Sequence, residues 1–324
     1  VRLGHAPDEA SCASLLRKYR SRGEWERAEA SFQFMRGANL ASAESYSSMV
    51  LIFSEAGQCQ RAEDTFAASR RAGHTPTPRA WSHLMRGYAI AGAWEEALAL
   101  LRAMREDSAL PSAHVYSLAL AACQRGRQWA PAESVFEAMA RHGFEPRVSN
   151  FNHLVSAYAH HGEWERAEGA VQRMREAGLS PNAFTVAAMA HAYKMGRQPQ
   201  ALDGLMEQAV SAGVELDVPA YNAVIAAYSA GGLWDKAKEA LGGMRARGLA
   251  PDLATFRCLL SYGPEPNGSS PNPETWMEQL AKEDGLRADS QMYKKLMGAH
   301  MAAGRPGEAE GTFLRMLGAG VEPC

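Results

Sequence analysis

The sequence predicts an all-α fold, an α-solenoid superhelix of about nine 35-residue helical hairpins. Three observations predict it: a recurring seven-residue string, apolar positions spaced three and four apart, and glycine-proline punctuation at a fixed interval. Gly23-Glu24-Trp25-Glu26-Arg27-Ala28-Glu29 returns letter for letter as Gly162-Glu163-Trp164-Glu165-Arg166-Ala167-Glu168, 139 residues later, an interval that holds four periods. Looser copies at Gly92-Ala93-Trp94-Glu95-Glu96-Ala97 and Gly232-Leu233-Trp234-Asp235-Lys236-Ala237 follow the same period. The resulting repeats are 9–42, 43–77, 78–112, 113–147, 148–182, 183–217, 218–252, 253–289 and 290–324.

The first helix of a repeat rests on three positions. The fourth residue is aromatic in most repeats (Tyr46, Trp81, Tyr116, Phe151, Tyr221), the seventh apolar (Met49, Leu84, Leu154, Val224), and the eleventh often Tyr or Phe (Tyr19, Phe53, Tyr88, Tyr158, Tyr193, Tyr228). Offsets of three and four put them on one helical stripe. A glycine near the fifteenth residue then marks a turn, and Trp25, Ala28, Phe32 and Met35 restart the same spacing as a second amphipathic helix. Loops such as Gly178-Leu179-Ser180-Pro181-Asn182 close the repeat, because Gly permits a helix stop and Pro blocks continuation. A lone hairpin cannot bury both stripes, so neighbours must stack, with right-handedness expected by analogy with other solenoids. The Trp, Met and aromatic stripes are therefore core, not a cofactor box.

Three places depart from the pattern. Gly126 and Gly196 come one residue early, which should alter the hairpin locally without ending the array. The four prolines of 263–273 forbid a helix there and predict an extended loop in a degenerate repeat 253–289, followed by a shortened second helix over Glu274 to Glu283. Gly4 to Asp8 read as the closing loop of an earlier repeat, so the chain is expected to be a segment of a longer protein.

Composition excludes several function classes. With 46% hydrophobic residues the chain has material for a core, and a net charge of -2 argues against indiscriminate polyanion binding by the whole surface. Five scattered cysteines fit a reducing compartment better than a disulfide framework. No apolar run approaches the roughly 18 residues of a membrane span, and no membrane partner is expected. There is no His-Glu-x-x-His, Cys-x-x-Cys or phosphate loop after a strand, so neither metal, cofactor nor catalysis is expected. His160-His161 does not change this, since adjacent helical residues point about 100 degrees apart.

Two hairpin families have nearly this period, and the eighth residue separates them. Tetratricopeptide repeats favour Gly there, whereas this chain has Leu16, Val50, Met85, Leu120, Val155, Ala190, Ile225, Leu260 and Met297. Those residues, the late Met (Met35, Met104, Met139, Met174, Met244, Met316) and openings such as Tyr221-Asn222-Ala223-Val224-Ile225 make the chain resemble the pentatricopeptide repeat family throughout.

That resemblance implies a single-stranded RNA binder that takes about one nucleotide per repeat on the face of the first helices. It implies a location in a mitochondrion or chloroplast, a role in RNA processing, stability or translation, and a targeting peptide outside the chain given. It also places base reading on the fifth and last residues of a repeat. Asn222 with Asp252 resembles a uracil-reading pair and Asn152 with Asn182 a pyrimidine pair favouring cytosine; Ser47 with Thr77, Ser82 with Ser112, and Ser117 with Arg147 are weaker candidates. Helix capping competes as an explanation for each. Phe184 is the one second-position residue suited to stacking on a base.

Arg17, Arg20, Arg86, Arg125, Lys194, Lys294 and Lys295 are the candidate phosphate contacts, with acids such as Glu24, Glu95 and Glu163 expected to segregate to the second helices. The degenerate reading positions favour a rival role, a structural subunit of an organellar ribosome or other assembly holding rRNA and proteins. Near-neutral charge keeps a third, a peptide-binding adaptor.

Overall fold

The computed structural model describes residues 9–260, 288–302 and 304–322, and every regular element among them is helical. Gly4 to Asp8, the loop 263–273, the helix expected over Glu274 to Glu283, and Cys324 lie outside the described residues. The chain divides into two compact parts, Val1–Ala157 and Tyr158–Cys324.

The first part holds α1 (Glu9–Arg22), α2 (Trp25–Gly37), α3 (Ala43–Glu55), α4 (Cys59–Arg71), α5 (Pro78–Ala91), α6 (Trp94–Glu106), α7 (Ala113–Arg125), α8 (Trp129–Arg141) and most of α9 (Val148–Ala159). Odd-numbered helices pack in succession, α1 on α3, α3 on α5 and α5 on α7, while each even helix packs on its hairpin partner, and α2, α4 and α6 also pack on the next odd helix. The sequence stripes form that core. Phe32 meets Tyr46 edge to face at 4.9 Å between ring centroids, Phe66 meets Trp81 at 4.7 Å and Phe136 meets Phe151 at 4.8 Å. Each pair joins the second helix of one repeat to the fourth residue of the next. Met35, Met49, Met85 and Met139 fill the space between, all at most 1% exposed.

The second part holds α10 (Trp164–Glu176), α11 (Ala183–Met195), a 3-10 turn at Pro199–Ala201, α12 (Leu202–Ser211), α13 (Val218–Ala230), α14 (Trp234–Ala246), α15 (Leu253–Leu260), α16 (Ser290–Ala302) and α17 (Pro306–Gly318). Here α11 packs on α13, α13 on α15 and α15 on α16. Tyrosines at the eleventh position lock onto acids of the preceding second helix: Tyr228 donates its hydroxyl to Asp203 at 2.9 Å and Tyr193 donates to Glu168. Among the described residues no helix is long and apolar enough to cross a membrane.

The early glycines are explained by packing. Gly126 and Gly196 sit in right-handed backbone at φ -70° and -77°, and the left-handed residue of each turn is Arg127 or Arg197, both at φ 56°. What needs glycine is the tryptophan of the preceding repeat: a Cβ on Gly126 would stand 2.7 Å from Trp94 Cδ1, and one on Gly196 2.4 Å from Trp164 Cδ1. The tryptophan's approach takes the glycine, and an arginine bears the backbone strain instead.

Candidate nucleic-acid interface

The last residue of a repeat is in most cases the N-cap of the next first helix. Ser42, Thr77, Ser112, Asn182 and Asp217 each stand in extended backbone and accept from the amide three residues on. Asp252 Oδ1 accepts from Thr255 N at 2.8 Å, and Asp289 Oδ1 from Met292 N at 2.9 Å. Capping thus fixes these side chains at the start of each first helix. Arg147 is the exception, because its own N–H donates to Asn150 Oδ1 at 2.8 Å.

Only some fifth residues meet their partners. Asn222 Nδ2 donates to Asp252 Oδ1 at 3.2 Å, and Arg257 forms an ion pair with Asp289. Burial works against ionisation of Asp252, but hydrogen bonds from the Thr255 amide and hydroxyl and from Asn222 outweigh it, and its pKa lies below the ordinary carboxylate range. Asp289 is lowered likewise: burial opposes, the Met292 amide and Arg257 prevail.

The serines are placed otherwise. Ser47 is 1% exposed, with His83 Nδ1 at 3.2 Å from its hydroxyl and 2.9 Å from its carbonyl oxygen, so the fold withdraws it from any ligand. Ser82 donates to the Pro78 carbonyl at 3.0 Å, and Ser117 donates to that of Ala113 at 2.9 Å while accepting from Asn150 at 2.7 Å. Asn152 is buried in the first part, and Asn182 is exposed in the second. Phe184, 51% exposed near the start of α11, stands open to stacking.

Among the candidate phosphate contacts, Arg17, Arg86, Arg125 and Lys294 are exposed, whereas Lys194 and Lys295 are half-buried. Arg125 donates to the Ile90 carbonyl at 3.0 Å and Lys295 to that of Arg257 at 3.2 Å. Arg20 and Arg86 both bind Glu55, through Nε at 2.8 Å and Nη1 at 3.4 Å. The expected segregation of charge therefore fails here: an acid at the end of a first helix sits inside the basic strip. Glu55 escaped sequence reasoning, although its spacing of 35 residues after Arg20 and 31 before Arg86 places it within the repeat phase.

Three grooves, of about 800, 680 and 560 Å³, open between successive second helices, and no candidate reading or phosphate residue lines them. Among the described residues no group of three or more potential metal ligands occurs.

Comparison with known proteins agrees with the hairpin architecture. A 55-residue stretch is 40% identical to a chloroplastic pentatricopeptide repeat-containing protein of Arabidopsis thaliana, covering 17% of this chain and 4% of that protein. The crystal structure of the pentatricopeptide repeat protein PPR10 in complex with an 18-nucleotide psaJ RNA element is similar over 96% of this chain and 55% of that one, with a TM-score of 0.55 and 20% identity. The structure of PPR10 from maize matches over 99% of this chain and 55% of that one, at a TM-score of 0.47 and 19% identity. The chain thus spans about half the length of these solved relatives. Models of the pentatricopeptide repeat domain match residues 134–194 and 204–263, and those of the single repeat match 79–108 and 291–321. Matched over more than half its length and built of the hairpins they describe, the chain belongs to the pentatricopeptide repeat family.

Proposed function

We propose that the chain binds single-stranded RNA on the side of its first helices, at about one nucleotide per repeat, and serves organellar RNA processing, stability or translation without a reaction of its own. The contact between Asn222 and Asp252 carries this reading. Two polar side chains from the fifth and last positions converge there, and the cap that fixes Asp252 holds it beside the start of α15. Such a pair offers both donors and an acceptor to one base edge. The complex of PPR10 with RNA supports the same ligand class.

A second reading, a structural subunit of an organellar ribosome or other assembly, is favoured by the burial of Ser47 and by the helix-directed hydroxyls of Ser82 and Ser117. Positions without a free polar edge can hold RNA by charge and shape but discriminate little between bases. Crosslinking the intact protein to RNA in cells separates the readings: one transcript supports the first, rRNA in ribosomal particles the second, and protein recovered without RNA a peptide adaptor.

A further inference from the structure

Arg20 on α1, Glu55 at the end of α3 and Arg86 on α5 bring together side chains from three successive first helices. Arg20 presents Nε to Glu55 Oε2 at 2.8 Å and Nη2 to Oε1 at 3.2 Å, while Arg86 Nη1 lies 3.4 Å from the same Oε1. This is the two-pronged geometry with which a guanidinium grips the paired oxygens of a carboxylate or a phosphate.

The carboxylate is badly placed for its own helix. Glu55 is the last residue of α3, where the helix dipole presents its negative end and favours cations. Two guanidiniums hold it there, and the cluster keeps one net positive charge. His83 adds none at neutral pH: burial lowers its pKa, the Ser47 carbonyl raises it, and Arg20 and Arg86 lower it further, with a net shift downward. The three charged side chains remain accessible, 44%, 33% and 46% exposed. Exposed ion pairs of this kind contribute little to stability and are readily exchanged.

We infer that Arg20 and Arg86 form a binding site for a phosphate oxyanion, that Glu55 occupies it from within the chain, and that a phosphodiester of single-stranded RNA displaces Glu55. The inference rests on the RNA-binding reading and adds to it: Glu55 attenuates affinity, because each RNA must first expel a built-in anion.

The test is fluorescence anisotropy of a 12-nucleotide oligouridylate against the full chain over a salt series, for wild type, Glu55→Gln, Glu26→Gln, Arg86→Ala and the Glu55→Gln/Arg86→Ala pair. Far-UV spectra confirm that each variant is folded. Glu55→Gln should bind several-fold tighter at low salt, with a log-log salt slope close to that of wild type, because the phosphate contact exists in both complexes. Glu26→Gln, which removes the same charge from an exposed side chain of α2, should show no such gain, and Arg86→Ala should abolish it in the double variant.

Wild type that binds RNA while Glu55→Gln matches it in affinity overturns the inference alone. An equal gain from Glu26→Gln overturns it too, as a mere effect of net charge. Inorganic phosphate is the second probe: if it raises the melting midpoint of Glu55→Gln while RNA affinity stays at the wild-type value, the site takes small anions only and the inference fails for RNA. Wild type that fails to bind any RNA in dilute buffer removes the proposed function itself.

Discussion

Asn222 Nδ2 donates to Asp252 Oδ1 at 3.2 Å, and that same oxygen accepts from the Thr255 amide at 2.8 Å and hydroxyl at 2.9 Å. One carboxylate oxygen is therefore both the cap of α15 and the partner of the preceding repeat's fifth residue. Changing Asn222 and Asp252 together should alter the preferred base at one position by about 1 kcal/mol and leave other positions untouched. Competition binding with oligonucleotides varied at that position measures it. A loss equal for all sequences would instead mark the pair as caps or generic contacts. Asp252→Ala alone should also lower stability by about 1 kcal/mol through the cap, whereas Asp252→Asn should retain most of it.

The lowered pKa values of Asp252 and Asp289 carry a pH signature. A carboxylate whose folded pKa is depressed adds stability above the unfolded value of about 3.9 and loses it as pH falls through the folded one. The melting midpoint should thus fall as the solution is acidified below about pH 4. In Asp252→Asn/Asp289→Asn that fall should be shallower, and an identical acid profile would contradict the hydrogen bonding that sets these shifts.

Periodicity made the helices legible, since Phe32, Met35 and Met49 had only to follow offsets of three and four to be assigned to the core. The candidate interface was less legible, because each side chain there has a choice that spacing does not record. Ser47 turns to His83, Ser82 and Ser117 turn onto carbonyls of their own helices, and Asn222 turns to Asp252. Such choices depend on rotamers and on the neighbouring repeat. The ion pairs of Arg20 and Arg86 with Glu55 depend on three repeats at once.

The tryptophans that open the second helices are not equivalent, although the repeated string makes them look so. Trp164 is half-buried, tilted against Tyr193 with ring centroids 6.3 Å apart, whereas Trp234 is only 6% exposed. A fully buried tryptophan costs roughly 3 to 5 kcal/mol when cut to alanine. Trp234→Ala should fall in that range and Trp164→Ala clearly below it, as read from denaturant midpoints. Equal losses would mean that burial at Trp164 exceeds what its exposure indicates.

Gly196 offers a test of why a glycine is present at all. Its φ of -77° is open to any residue, so backbone freedom does not require it. A Cβ there would meet Trp164 Cδ1 at 2.4 Å and the Gly162 carbonyl oxygen at 3.1 Å, and the backbone carbonyl has little room to retreat. Gly196→Ala should destabilise by about 1 to 3 kcal/mol through overcrowding. Gly178 is the control, because it lies at φ 72° and a Cβ added to it would meet nothing within 4 Å. Gly178→Ala should therefore be costly through the backbone alone. The two mechanisms separate when Trp164 is removed: Trp164→Ala should relieve much of the Gly196→Ala penalty and none of the Gly178→Ala penalty, a coupling that a double-mutant cycle reads directly. Additive losses for Trp164→Ala and Gly196→Ala would show that the early glycine serves something other than the approach of that ring.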